Sequence, residues 1–469
     1  MAYQAIPTEA RLAPDDTNDS NITFVKQGRA GMGASVANLA NTILGTGMLA
    51  MAHAVAAGGM IPGFLTILLS AITASSGLWL LSLSATRTGH RSSSFYAMSQ
   101  LTYPRAAVFF DTAIAIKCFG VSVSYLIILG SLLPRIVHTL AFDDDGNGPA
   151  ALVDRRVWIT ICVAALAPIA FLRTLHALRF TSYIALVAVV DLVFVIVFKF
   201  FDRSDIQPPS QVDIFHPSSG LISSLPVYVF AFTCAQNLHA TYNELRDNTQ
   251  QRMNRVIGTS IGGAAVIYIV IGLLGYATFG NRVGSNILDS YPGGLLITTC
   301  RIGIAVLVLF SYPLQVHPCR ASLLKIFSSD EASEQPGSRL HTALTVAILI
   351  TTYAVAMTVD KLDLVLGYVG ATGSTTISFT LPALFYLRMF RDDDSPRARP
   401  TRILAWLILS WGLAVMVICL VLNTLEALHP HKTVGRGPTR HPKPTASSPP
   451  TLTSRLSAPP SVPTAVWRP

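Results

Sequence analysis

The chain has 469 residues, of which 51% are hydrophobic and only 13% charged, and its mean hydropathy is +0.50. Soluble domains carry about 25% charged residues, so a soluble globular protein is excluded and a polytopic membrane bundle is expected. The net charge of +9 calls for no nucleic acid: no basic helix with interleaved aromatics is present, and basic cytoplasmic loops account for such an excess.

Residues 1–30 are polar and mixed in charge, with no cleavable signal pattern, and read as a cytosolic tail. They hold two formal glycosylation sequons, at Asn18 and Asn21. A spanning helix needs roughly 20 apolar residues. Eleven candidates follow, at 31–57, 61–85, 106–134, 157–172, 180–201, 219–239, 256–279, 294–318, 341–358, 364–387 and 402–425. Residues 31–425 are therefore expected to form one all-α transmembrane domain of about 11 helices. The third candidate is long enough to tilt; the fourth is short and contains Pro168.

The first span contains Asn38-Leu-Ala-Asn-Thr-Ile-Leu-Gly-Thr-Gly47. Polar backbone inside a bilayer is tolerated only where it faces protein or a wet cavity, and a broken helix is a sequence pointer to a transporter's substrate site. Asn38, Asn41, Thr42, Gly45, Thr46 and Gly47 are thus the primary candidates. N–H groups at a half-helix N-terminus suit a carboxylate; carbonyls and Asn side chains suit an ammonium or a cation. A close helix–helix contact made by the glycines is the competing explanation.

Five spans precede the sixth, which has a second polar centre with Thr233, Gln236, Asn237 and His239. Spans one and six are equivalent positions in a five-plus-five inverted repeat, here with one extra helix, although the sixth lacks Gly and Pro at its centre. Thr233, Gln236 and Asn237 join the substrate candidates, against packing hydrogen bonds as the alternative; His239 alone carries little. The eighth span ends with Ser311, Gln315 and two prolines, Pro313 and Pro318, which should distort it and free carbonyls. The tenth contains Gly367-Tyr-Val-Gly-Ala-Thr-Gly-Ser-Thr-Thr376, where close packing is the favoured role.

Charged residues inside spans are Asp111, Lys117, Asp191 and Arg301, and intramembrane charge is a functional candidate by default. Asp111 and Arg301 stand near span ends, where they could reach the interface. Lys117 and Asp191 lie deeper and either pair with one another or serve in proton coupling.

With the N-terminus in the cytosol, inner loops hold sixteen Lys and Arg and outer loops seven, the bias expected of cytoplasmic loops. The sequons are then unused, and an odd number of spans places the C-terminus in a lumen or outside. The tail, 426–469, is rich in Pro, Ser and Thr and is expected to be disordered; its His429, His431 and His441 read as solvated. The six cysteines (118, 162, 234, 300, 319, 419) fall in or beside apolar runs, so neither a disulfide framework nor a metal site is expected. No P-loop, G-x-S-x-G or H-E-x-x-H is present, which leaves ATP-driven pumping and membrane hydrolysis without a residue set.

Taken together, G-M-G-A-S-V-A-N-L-A-N-T-I-L-G-T-G-M-L, F-A-F-T-C-A-Q-N, Y-N-E-L, S-Y-P-L-Q-V-H-P-C-R and G-A-T-G-S-T resemble the amino acid/auxin permease family. Within it the chain is similar to fungal vacuolar amino-acid transporters and to sodium-coupled neutral amino-acid transporters. The resemblance spans about residues 30–425. It implies a LeuT-type fold, amino acids bound between spans one and six, and cation coupling by protons in vacuolar members or sodium in many animal ones. It also implies an ion-site role for Asn41 and Ser311. Ser311 stands where a Thr is usual in sodium-coupled members, which counts against sodium. Ala235 stands where His is common, so no proton role transfers to that position. The loop 202–217 is short and lacks Cys and sequons, unlike that of many plasma-membrane members.

The resulting expectation is a secondary active amino-acid transporter in the vacuolar membrane, not an enzyme and with no cofactor. It would work by alternating access with protons from vacuole to cytosol, with amino acids and the lipid bilayer as partners, neutral substrates preferred, no nucleic acid, and the oligomeric state open. The rivals are a sodium-coupled plasma-membrane importer and a non-transporting vacuolar amino-acid sensor.

Overall fold

The computed structural model describes residues 30–89, 91–141, 150–172, 181–216, 218–327, 338–393, 395–396 and 398–428. The sequons and nearly all of the C-terminal tail lie outside the described residues. The chain divides into one helical unit ending at Ala427 and a second beginning at Leu428.

The first expected span is two helices, α1 (Met32–Ile43) and α2 (Gly47–Ala56), bent by 55° at the break between them. α3 (Met60–Ala85) follows and is apolar throughout. A short helix α4 (Phe95–Thr102), capped by Ser94 Oγ accepting from the Ala97 amide at 3.0 Å, leads to the long α5 (Ala107–Ala141). At 1.5 Å per residue, α5 extends about 50 Å, well beyond the roughly 30 Å of a hydrocarbon core, so it must tilt or protrude. The one-turn α6 (Ala150–Val153), α7 (Arg155–Ala170) and α8 (Thr181–Phe201) come next; α7 and α8 stand where spans four and five are expected.

The sixth span is α9 (Ser219–Ala231) and α10 (Ala235–Glu244), interrupted at Phe232–Cys234. α11 (Gln250–Ile269) continues through a π-helical turn, Val270–Leu274, into α12 (Gly275–Phe279). The connecting helix α13 (Ile287–Ser290) precedes α14 (Leu295–Phe327). α15 (Ser338–Thr358) is followed by the tenth span, α16 (Leu362–Val369) and α17 (Leu381–Met389) joined through π-helical turns, and by α18 (Ala398–Leu428). Among the described residues eight helical stretches are long and apolar enough to cross a membrane, and the bent pair α1–α2 makes a ninth.

α5 is the central strut. Its apolar window is 83% buried, against 33% for α18. It packs along α14 and against α7, α15 and α16. α18 instead turns Trp406, Leu407, Val417 and Val421 outward, a face suited to acyl chains. Just before α1, Ala30 pairs with the end of α10: its amide donates to Glu244 O at 2.9 Å and its carbonyl accepts from Arg246 N at 2.8 Å. Spans one and six are thereby tied together before either reaches its break.

α14 runs unbroken over 33 residues across Pro313 and Pro318, and each proline leaves the carbonyl four residues back without its helical donor. Two expectations about charge are corrected. Asp111 and Arg301 are buried in the bundle rather than extended out of it. Asp111 is 8% exposed and pairs with Lys325 at 3.8 Å; Arg301 is 2% exposed and donates to Leu288 O and Tyr291 O at 3.0 and 2.8 Å. Arg320, counted among the loop charges, is also buried inside α14. It donates to Ala170 O, Thr345 Oγ1 and Leu172 O at 2.6, 3.0 and 3.1 Å. A buried guanidinium is stable only when its donors are met, and here carbonyls exposed at the end of α7 meet them.

Candidate functional site

The two breaks lie side by side. A Cβ on Gly47 would sit 2.8 Å from both Cα and Cβ of Ala231, so the start of α2 touches the end of α9 backbone to backbone. The Tyr268 hydroxyl of α11 reaches Ile43 O at 2.6 Å and Ala231 O at 2.9 Å. These are the last carbonyls of α1 and α9, which lose their helical partners at the breaks. One phenolic proton shared between them stitches the two interruptions together.

The expected residues of span one divide by role. Thr42 Oγ1 donates to Asn38 O at 3.0 Å and accepts from Asn237 Nδ2 at 2.6 Å, which links α1 to α10. Asn38 and Asn41 are half-buried on α1. Thr46 Oγ1 lies 3.4 Å from Ser124 Oγ of α5. Gly45 is half-buried, and a Cβ there would meet nothing but its neighbour Ile43 O at 4.0 Å; it borders open space. Gly45 and Gly47, alike in sequence, are therefore one open position and one packed position.

In span six, Thr233 Oγ1 donates back to Val229 O at 2.7 Å and lies 3.4 Å from Ser378 Oγ in the tenth span. The Gln236 side-chain oxygen is buried without a hydrogen-bond partner. Unsatisfied buried acceptors are uncommon in proteins, and this one is free for a donor. Asn237 is 7% exposed.

Lys117 is 4% exposed on α5 and lies within Coulombic reach of Cys234, in the second break. Its Cβ would be 2.7 Å from a Cβ on Gly373. The tenth-span motif is thus a packing element, as expected: Gly373 admits Lys117 and Gly370 admits the Pro226 carbonyl. The Lys117–Asp191 pairing is not formed among the described residues; Asp191 lies close to Cys300 of α14. Ser311 and Gln315 share one face of α14 and lie close to the Tyr125 hydroxyl of α5. The six cysteines are all buried and free.

A cavity of about 520 Å³ opens elsewhere, towards the C-terminal end of α5, lined by Arg135, His138, Arg155 and Arg301 among others. None of the break residues lines it. Asp289 lies beside it, 3.4 Å from Arg135; burial pushes its carboxyl above the ordinary range, against the pull of Arg135 and Arg301.

Tyr268, Ser124 and Ser378 carry contacts that sequence reasoning missed. A single tyrosine or serine within an apolar run gives no signal of its own, and only the second helix explains why the hydroxyl is there.

Residues 28–423 match the family described as "Transmembrane amino acid transporter protein". This chain belongs to that family. Among curated relatives of this transmembrane amino acid transporter, Vacuolar amino acid transporter 5 of Schizosaccharomyces pombe is 38% identical over 411 residues. That alignment covers 86% of this chain and 96% of the relative. Vacuolar amino acid transporters 5 and 6 of Saccharomyces cerevisiae are 34% and 32% identical, covering 82% and 83% of this chain and 96% and 98% of theirs. The structure of MhsT in complex with L-phenylalanine superposes with a TM-score of 0.56 at 12% identity, over 84% of this chain and 99% of that one. The transporter therefore shares the MhsT fold, which agrees with the LeuT-type class its motifs imply.

Proposed function

We propose that this chain is a secondary active transporter of the vacuolar membrane that carries neutral amino acids from the lumen to the cytosol with protons, by alternating access. The observation that carries this reading is the pair of adjacent helix breaks stitched by Tyr268, with open space at Gly45 and a free acceptor on Gln236. Such a centre offers amides to a carboxylate and carbonyl or amide oxygens to an ammonium. The substrate would lie against Asn38, Asn41, Thr42, Gly45, Thr46 and Gly47 from one side and Thr233, Gln236 and Asn237 from the other. None of these is charged, which supports neutral substrates.

The vacuolar setting rests on the names of the relatives. Eleven spans, built as a five-plus-five repeat with one helix added, are the topology that accommodates α7 and α8 as spans four and five. For coupling, Lys117 is a buried cation close to the second break and Asp191 a further candidate. Asn41 and Ser311 occupy the places of a cation site. The serine and the short loop 202–217 favour protons over sodium.

The test is radiolabelled amino-acid flux in proteoliposomes with proton and sodium gradients imposed separately. Flux driven by a pH gradient in sodium-free buffer supports the reading. Flux that needs sodium would replace it with a sodium-coupled importer, and saturable binding without flux would indicate a sensor.

A further inference from the structure

The cavity of about 520 Å³ towards the C-terminal end of α5 stands apart from both helix breaks. Its volume is in the range of small-molecule pockets, roughly 300–1,000 Å³. Guanidinium groups meet on its walls: Arg135 from α5, Arg155 from the start of α7 and Arg301 from α14. Gly130 belongs to the same wall, and a Cβ there would fall 2.9 Å from Arg155 Cγ. The glycine thus makes the room in which the Arg155 stem lies against α5.

Each guanidinium is held by main-chain carbonyls. Arg301 Nη2 donates to Leu288 O and Tyr291 O at 3.0 and 2.8 Å, Arg155 Nη2 to Ala356 O and Val359 O at 2.8 and 2.6 Å, and Arg135 Nη1 to Asp289 O at 2.8 Å. A carbonyl fixes the position of a guanidinium but cancels none of its charge, and arginine has N–H groups beyond those used here. Arg301 is 2% exposed, yet its Nε is buried without a hydrogen-bond partner. The hydroxyl of Tyr291, another lining residue, is buried and unpartnered as well. A buried cation with unmet donors is costly, and the clasp on the turn at 288–291 accounts for Nη2 alone.

The charge around the cavity is positive in excess. Among the described residues, Arg135 is the one arginine of the three in an ion pair, with Asp289 at 3.4 Å. Asp289 and Asp360 act on Arg301 and Arg155 from farther away, and Arg156 adds a further positive charge beside Arg155. Asp154 is turned to its own helix, where it accepts from Arg156 N at 2.8 Å. His138 also stands in the wall, and no carboxylate is among the lining residues.

We propose that this cavity is a binding site for a phosphate group, distinct from the amino-acid site at the helix breaks. Planar guanidinium forks match the oxygens of a phosphate two at a time. Forks already anchored by carbonyls need little further ordering to do so, which favours binding. The volume admits the phosphate of a larger molecule as well as the free ion. The shared chemistry is the phosphate itself, carried either by a soluble ion or by the headgroup of an anionic phospholipid. Bound there, it would join α5, α7 and α14 through the charges of Arg135, Arg155 and Arg301.

The experiment follows the melting temperature of the full-length protein in a neutral detergent while inorganic phosphate replaces chloride at constant ionic strength. The rise gives an apparent Kd, since a ligand stabilises only the form that binds it. In a second arm the additive is dihexanoyl-phosphatidylglycerol, with zwitterionic dihexanoyl-phosphatidylcholine as its control. Wild-type protein should show a saturable rise. A rise with phosphate alone assigns a soluble ligand, one with the phosphatidylglycerol alone assigns a headgroup, and either supports the site. Losing a hydrogen bond to a charged group weakens binding about tenfold or more, so Arg135→Gln and Arg155→Gln should each raise the apparent Kd by about that factor. Asp289→Asn removes the neighbouring negative charge and should lower it about fivefold. Arg203→Gln, which removes an exposed arginine bonded to the nearby Phe200 carbonyl, should leave it at the wild-type value. Each Kd is taken from the increment the anion produces, so a lower starting melting temperature in a variant does not alter it. No saturable rise with either anion overturns the site. So does a rise equal in wild type, Arg135→Gln and Arg155→Gln, as salting-out by phosphate would give. No amino acid or flux is involved, so the result stands or falls apart from the transport reading.

Discussion

Gly45 and Gly47 stand two residues apart in the same break, and replacing each in turn separates site from scaffold. A methyl on Gly47 would lie 2.8 Å from Ala231 Cα and Cβ, about 1 Å inside ordinary carbon contact. The obstacle is a second helix's backbone, which cannot rotate aside. Overpacking of this kind costs about 1–3 kcal/mol, so Gly47→Ala should lower the thermal stability of detergent-solubilised protein measurably. A methyl on Gly45 meets nothing but Ile43 O at 4.0 Å. Gly45→Ala should therefore stay within about 0.5 kcal/mol of wild type, as substitutions without a clash do; Gly45→Leu reaches further than a methyl. The larger side chain, however, fills the space a substrate needs. Gly45→Leu should abolish amino-acid flux in proteoliposomes and also the rise in melting temperature that saturating substrate produces, since a ligand stabilises only the form that binds it. Wild-type flux and apparent affinity in Gly45→Leu would show that the open side of the break is not where substrate sits. An unchanged melting temperature in Gly47→Ala would show that the two breaks are not in contact.

Tyr268→Phe removes the donor shared by Ile43 O and Ala231 O, and should destabilise by about 1–3 kcal/mol while lowering flux; a variant with wild-type melting and flux would deny the stitch. Arg320→Leu leaves Ala170 O, Leu172 O and Thr345 without their donor and is expected to lower surface-independent measures of folding, such as monodisperse yield and melting temperature, with no selective change in apparent substrate affinity. Asn41→Ala should reduce transport under every ionic condition, because its amide sits at the break whether or not an ion is bound; loss confined to sodium-containing buffer would point to a metal-ion role. An N-terminal epitope should be digested from the cytosolic side of sealed vacuoles and one after Pro469 protected, as checked by protease accessibility. Both on one side would require an even number of spans.

The break in the first span was legible because its cause is local. Asn, Thr and Gly crowd a stretch that would otherwise be apolar, and a helix that exposes polar groups to lipid is unstable wherever its neighbours are. The tail-to-tail order of apolar runs was legible for the same reason: each run is set by its own length and hydropathy. The break in the sixth span was harder to read, since no Gly or Pro stands at Phe232–Cys234. There the interruption is sustained by Thr233 bonding back to Val229 O and by Tyr268 taking Ala231 O from another helix. The fate of the charges was settled the same way. Nothing in the chain around Arg320 distinguishes it from a loop arginine, yet carbonyls from the end of α7 make it a buried clasp. Asp111 finds Lys325 from α14, and Lys117 lies beside Gly373 and the second break rather than Asp191. Sequence alone determined most of the long apolar helices and where the first breaks, because length and hydropathy act on each segment separately. The tertiary structure decided which buried polar groups meet, because a hydrogen bond or ion pair needs a partner whose position depends on every other helix in the bundle.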